Sequence, residues 1–376
     1  MAAYIFKRLL LMIPTLLGIM LISFTIIQFA PGGPVERVIA QLTGTDVAAT
    51  SRIGGGGTDI AGQQPNASLS SQDSGSSAYR GAQGLDPEFI RQLEKQFGFD
   101  KPAHERFALM MKNYLMFDFG KSYFRDVSVL SLIMEKLPVS ISLGLWMTLL
   151  TYLISIPLGI RKAVKDGEDF DVWTSGFLVI GYAIPGFLVA VMLLVLFAGG
   201  SFVQWFPSRG LQSEAFSSRT VMSCVTSLPC VADYFWHLVL PLTSMALASF
   251  TTMTFLTKNS FLDEIRKQYV LTARAKGLSE GKVLYGHVFR NAMLLVIAGF
   301  PGAFVGAFLG SSLLIETIFS LDGLGLLGFE SIINRDYPVV FATLYIFSLL
   351  GLFVHLLTDF TYTLVDPRID FESREA

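Results

Sequence analysis

The sequence is poor in charge and in cysteine. Of its 376 residues only 15% are Asp, Glu, Lys or Arg, whereas a soluble domain carries about 25%. The net charge of −2 gives no support for nucleic-acid binding. Two cysteines cannot form the framework of a disulfide-rich domain. These shortages argue against the common soluble classes and indicate a membrane environment.

Catalytic and metal-binding motifs are also missing from the sequence. The run GGGGTDI lacks the lysine that completes a phosphate-binding loop. The histidines His104, His237, His287 and His355 are scattered, and there is no H-E-x-x-H pattern. We therefore predict no catalytic, cofactor-binding or metal-binding residues on this chain.

Long apolar segments, by contrast, are abundant. Hydrophobic residues make up 52% of the chain, and a helix needs about 20 mostly apolar residues to cross about 30 Å of hydrocarbon. The alternation expected of membrane β-strands does not recur. We predict an all-α polytopic membrane protein with about six transmembrane helices, at roughly 9–29, 137–160, 172–198, 236–256, 292–315 and 339–364.

Lysine and arginine concentrate in one set of loops, which predicts the orientation. They precede the first span, follow the second and the sixth, and seven of them lie between the fourth and fifth spans. The opposite short loops carry only Arg209, Arg219 and Arg335. Both termini are therefore predicted to be cytoplasmic.

The predicted domain organisation is a first transmembrane helix (1–30), a large outer loop (31–136) and a core domain (137–376). Within the outer loop, 43–84 is rich in Gly and Ser and is predicted to be flexible. A helix capped by Asp86 follows, with Ile90 and Leu93 on its apolar face. That face either packs on the membrane or on its own loop, or offers a docking surface to an extracytoplasmic partner.

Two cysteines lie close together in the outer loop between the third and fourth spans. The segment CVTSLPC places Cys224 six residues before Cys230. An oxidising compartment would permit a disulfide between them. The alternative is a pair of free thiols.

Polar and small residues inside the spans have two interpretations each. His355 and Asp359 lie four residues apart on one helix face. They form a proton relay, or Asp359 belongs to a polar helix end or is a partner for Arg368. In the fifth span, small residues at four-residue spacing allow close helix packing, or form part of a substrate path. They are Gly302, Gly306 and Gly310.

The most unusual segment is QYVLTARAKGLSEGKVLYGHVFRNA, residues 268–292. Burying the seven basic residues between the fourth and fifth spans in hydrocarbon would cost on the order of 20 kcal/mol, so this loop is predicted to stay in the cytoplasm. The pattern predicts a helix to Lys276, an end at Gly277, and a second helix capped by Ser279. It is either an amphipathic loop on anionic lipid or a rigid helix offered to a cytoplasmic partner.

The stretch TARAKGLSEGKVLYGHVFRNA resembles the cytoplasmic signature of inner-membrane permease subunits of dipeptide/oligopeptide-type ABC importers. APGGP, FDFGKS, LIETIFSLDGLGLLG and LVDPRIDF look like further landmarks of that family, in family order. The signature E-A-A-x-x-x-G falls on Leu271, Thr272, Ala273 and Gly277, without its glutamate. The Gly/Ser-rich loop and TLVDPRIDFE look most like the microcin C (peptide antibiotic) branch.

The resemblance implies a transport subunit, not an enzyme, in the bacterial inner membrane, with its outer loop in the periplasm. A homologous second permease would complete the pore, and a periplasmic peptide-binding protein would deliver peptides or peptide-like compounds. ATP and Mg²⁺ would bind a separate ATPase, contacted by a coupling loop within 258–290. The coupling residues would be Leu271, Thr272, Ala273, Arg274, Ala275, Lys276 and Gly277.

The main alternative is an autonomous proton-driven secondary transporter or channel for small solutes. Such a protein is expected to contain internal repeats and ion ligands near the bilayer midplane, and the sequence contains neither clearly. A membrane enzyme is a more distant alternative because no nucleophile–base pair is apparent.

Overall fold

The fold was analysed in a computed structural model of the chain. It describes residues 2–29, 33–42, 87–96, 99–200, 202–217, 224, 226–309 and 313–365. These residues are helical or in turns, and an isolated bridge between Lys121 and Ser128 is the only β-type pairing within the described ranges. The predicted segment 43–84, Asp86, Gly310 and Arg368 lie outside the described residues.

Sixteen α-helices and one π-helix make up the described chain. In chain order they are α1 (Ala2–Phe29), α2 (Pro34–Leu42), α3 (Pro87–Gln96), α4 (Ala103–Leu115), α5 (Val129–Val164), α6 (Asp169–Ala183), α7 (Gly186–Phe197), α8 (Glu214–Ser217), α9 (Leu228–Ile265), α10 (Gln268–Ala275), the π-helix (Lys282–Val288), α11 (Phe289–Ala292), α12 (Leu294–Ala298), α13 (Phe300–Leu309), α14 (Leu313–Ile318), α15 (Leu324–Asn334) and α16 (Tyr337–Val365).

Four helices in the described part of the chain are long and apolar enough to cross a membrane: α1, α5, α9 and α16. The pair α6 and α7 is bent by 91° and adds a fifth span if it crosses as one unit. The bend lies at Ile184 and Pro185, where Ile184 is extended (φ −86°, ψ 120°). A residue before proline is driven out of the helical region. The all-α polytopic class is thus confirmed, and the count of six spans stays a prediction.

The fifth predicted span is divided into short helices, α11 to α14, instead of one continuous helix. Helix-type bonds nevertheless bridge two of the breaks, from the Ile297 N–H to the Met293 carbonyl (2.8 Å) and from Ala303 to Gly299 (3.0 Å). Pro301 has no N–H to donate, which weakens the helix at this point. The segment is therefore a distorted helical path over the described residues 289–309.

Two long helices extend beyond their apolar stretches. Helix α5 begins at Val129, not near 137, because the Ser128 hydroxyl accepts a hydrogen bond from the Ser131 N–H (3.2 Å) as an N-cap. Helix α9 has 38 residues, about 57 Å at 1.5 Å per residue. Since this exceeds the hydrocarbon thickness, at least one end of α9 projects from the membrane.

The chain divides into two compact units. One contains Met1–Met12, Lys136–Gly325 and Leu349–Ala376; the other contains Ile13–Glu135 and Leu326–Ser348. In the first unit α5 packs tightly on α9, and a Cβ at Gly159 would lie 2.6 Å from the Thr257 Cβ. Only glycine therefore fits at this contact between the two helices.

In the second unit, the predicted amphipathic helix is confirmed over Pro87–Gln96. Its Ile90 and Leu93 pack with Val35 and Ile39 of α2 in a small apolar core. The apolar face of α3 is therefore at least partly covered by the chain's own loop.

A buried carboxylate organises the same unit. Asp336 accepts hydrogen bonds from the Ser122 hydroxyl (2.5 Å) and from the Tyr123 N–H (3.1 Å). Burial raises the pKa of Asp336, although the Ser122 and Tyr123 bonds favour its charged form. A raised pKa means that the folded chain prefers the neutral over the charged carboxyl more strongly than the unfolded chain does.

Replacing Asp336 by alanine is expected to lower the stability of this unit by about 1–3 kcal/mol, because two donors lose their acceptor. Asp336→Asn keeps one acceptor without the charge and should cost less. The melting temperature of the purified protein measures both. Asp100→Ala, at an exposed carboxylate of the same unit, is the control and should change little. Equal effects of Asp336→Ala and Asp100→Ala would contradict this assignment.

Candidate functional site

Helix α10 begins three residues after the last residue of α9, and side-chain contacts join the two helices. The Tyr269 hydroxyl donates to a Glu264 carboxylate oxygen (2.7 Å), and Lys267 forms an ion pair with the same carboxylate. Lys267 is extended (φ −76°, ψ 152°) and marks the turn between the two helices. Glu264 thus joins the start of α10 to the end of α9.

A Schellman motif ends α10. The Leu278 N–H reaches the Ala273 carbonyl (3.4 Å), and the Gly277 N–H binds the Arg274 carbonyl (2.9 Å). Gly277 has φ +78°, a left-handed conformation that side chains disfavour. A Cβ at Gly277 would meet no atom within 4 Å. Glycine is therefore required by backbone conformation, not by lack of space within this chain.

One face of α10 is anchored in the protein core. Val270 and Ala273 are buried in an apolar cluster with Phe261, Val283 and Val288. The helix is consequently held rigidly by apolar packing along this face. That geometry favours a rigid helix over a loop that owes its structure to lipid.

The opposite face of α10 is exposed, and six of the seven predicted coupling residues lie on it or at its end. Leu271 exposes 58% of its surface. Ala273 instead faces the core, where it packs in the apolar cluster that holds the helix. The exposed residues are Leu271, Thr272, Arg274, Ala275, Lys276 and Gly277.

Arg274 is held across the following turn by Glu280. Its Nε and Nη2 atoms lie 2.9 Å and 3.1 Å from the two carboxylate oxygens. Both side chains are solvent-exposed, so the pair contributes little to stability, about 0.2–1 kcal/mol. Its main effect is to fix the direction of the guanidinium beside the exposed face.

The second predicted helix begins near Ser279, as expected, but over Lys282–Val288 it is a π-helix. The Phe289 N–H accordingly reaches back five residues, to the Leu284 carbonyl. Short π-helical turns occur frequently at functional sites. The sequence contains no clear signal for this geometry.

A buried ionic network, which sequence reasoning missed, joins α5, α6 and α9. Lys162 is fully buried, and its ammonium nitrogen lies 3.0 Å from an Asp171 carboxylate oxygen. The same nitrogen donates to the Thr174 and Ser175 hydroxyls, at 2.8 Å and 2.7 Å. In the sequence, Lys162 is simply one of the basic residues that follow the second predicted span.

Lys258 completes this network from α9. Its ammonium nitrogen lies 2.7 Å from the other Asp171 oxygen and 2.9 Å from Asp166. The ends of α5 and α9 are thereby tied to the start of α6. Asp171 is buried between the two lysines, whereas Asp166 is 39% exposed and also lies 3.7 Å from Arg266.

The remaining predicted site residues have diverse environments. Cys224 and Cys230 are joined in a disulfide. A Cβ at Gly302 would lie 3.8 Å from the Thr358 hydroxyl oxygen, and one at Gly306 would meet nothing within 4 Å. No close helix approach at these two glycines occurs within the described chain, and Gly310 lies outside it.

Asp359, the candidate proton relay, is paired with the first helix. Its carboxylate lies 2.8 Å from Arg8 and accepts a hydrogen bond from the Tyr4 hydroxyl (3.1 Å). His355 is exposed. These contacts support a structural role for Asp359 more than a relay.

Comparison with known proteins shows which family and which relatives the chain resembles. Residues 155–371 match the family described as "Binding-protein-dependent transport system inner membrane component". The chain is similar to the peptidoglycan transport system permease protein YejB of Agrobacterium fabrum, with 64% identity over 100% of both chains. It is 55% identical to the inner membrane ABC transporter permease protein YejB of Escherichia coli O157:H7, again over 100% of both. The oligopeptide transport system permease protein AppB of Bacillus subtilis is 32% identical over 99% of this chain and 100% of its own.

Proposed function

The chain belongs to the family of binding-protein-dependent transport system inner membrane components, and from this premise we propose how it works within an ATP-driven importer. It is a permease subunit for peptide transport and not an enzyme. We propose that the exposed face of α10 binds a separate ATPase subunit, where ATP and Mg²⁺ are held. The observation that carries this proposal is the rigid helix itself, buried on one face and exposed on the other.

The proposed coupling depends on how α10 is attached. The ATPase pushes on the exposed face, and the Tyr269–Glu264 hydrogen bond passes the displacement to the end of α9. Because Lys258 of α9 shares Asp171 with Lys162, the end of α5 and the start of α6 move with it. A rigid-body shift of this kind opens one side of a transport path and closes the other.

The proposed assembly contains three further components. A homologous second permease completes the pore, and Gly302 and Gly306, with Gly310, are proposed to pack on it or to line the path. A periplasmic peptide-binding protein delivers cargo to the large loop 31–136. Six spans with both termini in the cytoplasm of a bacterial inner membrane complete the arrangement.

The proposed cargo is a peptide or a peptide-like compound. The relatives' names specify peptidoglycan and oligopeptides, which share amide-linked amino acids. A peptide antibiotic of the microcin C type belongs to the same chemical class. A gradient-driven transporter has less support, because Asp359 is paired with Arg8.

Purification in mild detergent tests this proposal. The tagged chain should bring with it an ATPase that contains a phosphate-binding loop and a second permease, both identified by mass spectrometry. Reconstituted in liposomes with the binding protein, that complex should take up peptide only with ATP. A chain that purifies alone and carries peptides without ATP would contradict the proposal.

A further inference from the structure

A cavity of about 500 Å³ lies among the membrane-spanning helices of the first unit. Helices α5 and α9 supply most of its wall near their midpoints, and α6 and α13 complete it. This volume falls within the range of pockets that hold small organic molecules, about 300–1,000 Å³.

Hydroxyl groups dominate the polar surface of this cavity. No Asp, Glu, Lys, Arg or His occurs among the described residues that line it. Methionine, leucine and alanine provide the remaining surface. The hydroxyl-bearing residues are Thr148, Thr151, Tyr152, Tyr182, Ser249 and Thr252.

Helix packing explains some of these hydroxyls but not Thr151. The Thr252 hydroxyl donates to the Ala248 carbonyl of its own helix (3.1 Å), and Tyr152 reaches the Val296 carbonyl (3.4 Å). Thr151 is 8% exposed, and within the described chain its hydroxyl has no hydrogen-bond partner. A buried hydroxyl without a partner destabilises a protein, and a ligand in the cavity that paired with Thr151 would remove this cost.

We propose that this cavity is a cargo-contacting wall of the transport path, and that its hydroxyls bind the uncharged amide backbone of a peptide. A hydroxyl can both donate and accept a hydrogen bond. It can therefore pair with either an N–H or a carbonyl as the cargo moves past. The absence of charged side chains from the described wall means that it does not select peptides by their charge. This inference rests on the proposed function.

Replacing Thr151 by valine tests the cavity. We expect the ATP-driven uptake of labelled tripeptides by the reconstituted complex to fall about two- to tenfold, the effect of one hydrogen bond. The fall should be the same for Ala-Ala-Ala, Ala-Glu-Ala and Ala-Lys-Ala. The melting temperature should stay equal or rise, because an unpaired buried hydroxyl is removed.

Thr251→Val is the matched control. The Thr251 hydroxyl has one proton to donate and two carbonyl acceptors within reach, Leu178 at 3.0 Å and Leu247 at 2.7 Å. Thr251 does not line the cavity. Its replacement should lower the melting temperature. Wild-type uptake by Thr151→Val, or a fall confined to one charge class of tripeptide, would overturn the proposal.

Cysteine labelling gives an independent readout. The cysteines of the described chain are both in the disulfide, so Thr151→Cys introduces a single reactive thiol. A water-soluble maleimide should label it in at least one nucleotide state, because the path admits water. Leu153 lies on the same helix outside the cavity, and its side chain is 72% exposed in the isolated chain. Leu153→Cys should stay unlabelled, because lipid or a partner subunit covers this position in the membrane.

An unlabelled Thr151→Cys in every nucleotide state would also overturn the proposal. A failure of the proposed function has a different outcome, since the wild-type complex would then show no ATP-dependent uptake. If only the cavity assignment is wrong, the wild-type complex still takes up peptide in an ATP-dependent manner.

Discussion

Replacing Gly277 by valine is expected to reduce ATP-driven transport at least about tenfold while the chain still inserts in the membrane. Gly277 has φ +78°, where a residue with a side chain is strained by about 1–3 kcal/mol. A β-branched residue is especially unfavourable there. That strain acts at the turn that ends α10. The Schellman bonds from Gly277 and Leu278 would be lost, and the exposed face would no longer have its defined end.

The control for this prediction is Gly277→Asn. Asparagine tolerates the left-handed conformation, and a Cβ at Gly277 meets no atom of this chain within 4 Å. We expect this variant to retain most of its transport. ATP-dependent uptake in liposomes, with the amount of inserted chain measured in parallel, compares the two variants. Equal transport by the valine and asparagine variants would show that the backbone conformation is not what the partner requires.

The second large effect is expected at Asp171. Its carboxylate lies between the ammonium groups of Lys162 and Lys258, at 3.0 Å and 2.7 Å. Asp171→Ala leaves Lys162, which is fully buried, without its counter-charge. Removing one partner of a buried ion pair costs about 3–5 kcal/mol. The variant should accumulate poorly in membranes and melt at a clearly lower temperature.

Two further variants identify the cause of the loss at Asp171. Asp169→Ala changes an exposed carboxylate two residues earlier and should have an effect below about 0.5 kcal/mol. Adding Lys162→Met to Asp171→Ala removes the buried charge and should restore part of the stability. Without any recovery in the double variant, the uncompensated Lys162 charge would not be the cause.

The broad architecture could be predicted because the length of an apolar run and the position of basic residues can be read from consecutive residues of the sequence. The spans around α1, α5, α9 and α16 follow from runs of about 20 apolar residues. The prediction that the segment 268–292 stays out of the hydrocarbon follows from the cost of burying its charges. Gly277 was predicted as a helix end because glycine is the usual residue in that position.

Other features depend on contacts between distant segments and could not be predicted. Lys162 is nine residues from Asp171 and Lys258 is 87, so their network appears only when three helices meet. Ala273 belongs to the signature, but only the packing of Val283 and Val288 shows that it faces inward. The 91° bend at Pro185 is one of several outcomes for a proline in a span.

The exposed face of α10 can be tested directly by photo-crosslinking from Leu271, whose side chain is exposed. A benzoylphenylalanine at this position, illuminated in intact membranes, should form an adduct with an ATPase that contains a phosphate-binding loop. The same group at Leu228, 81% exposed at the start of α9, should not capture that ATPase. Adducts from Leu271 with lipid alone would contradict the coupling role of α10.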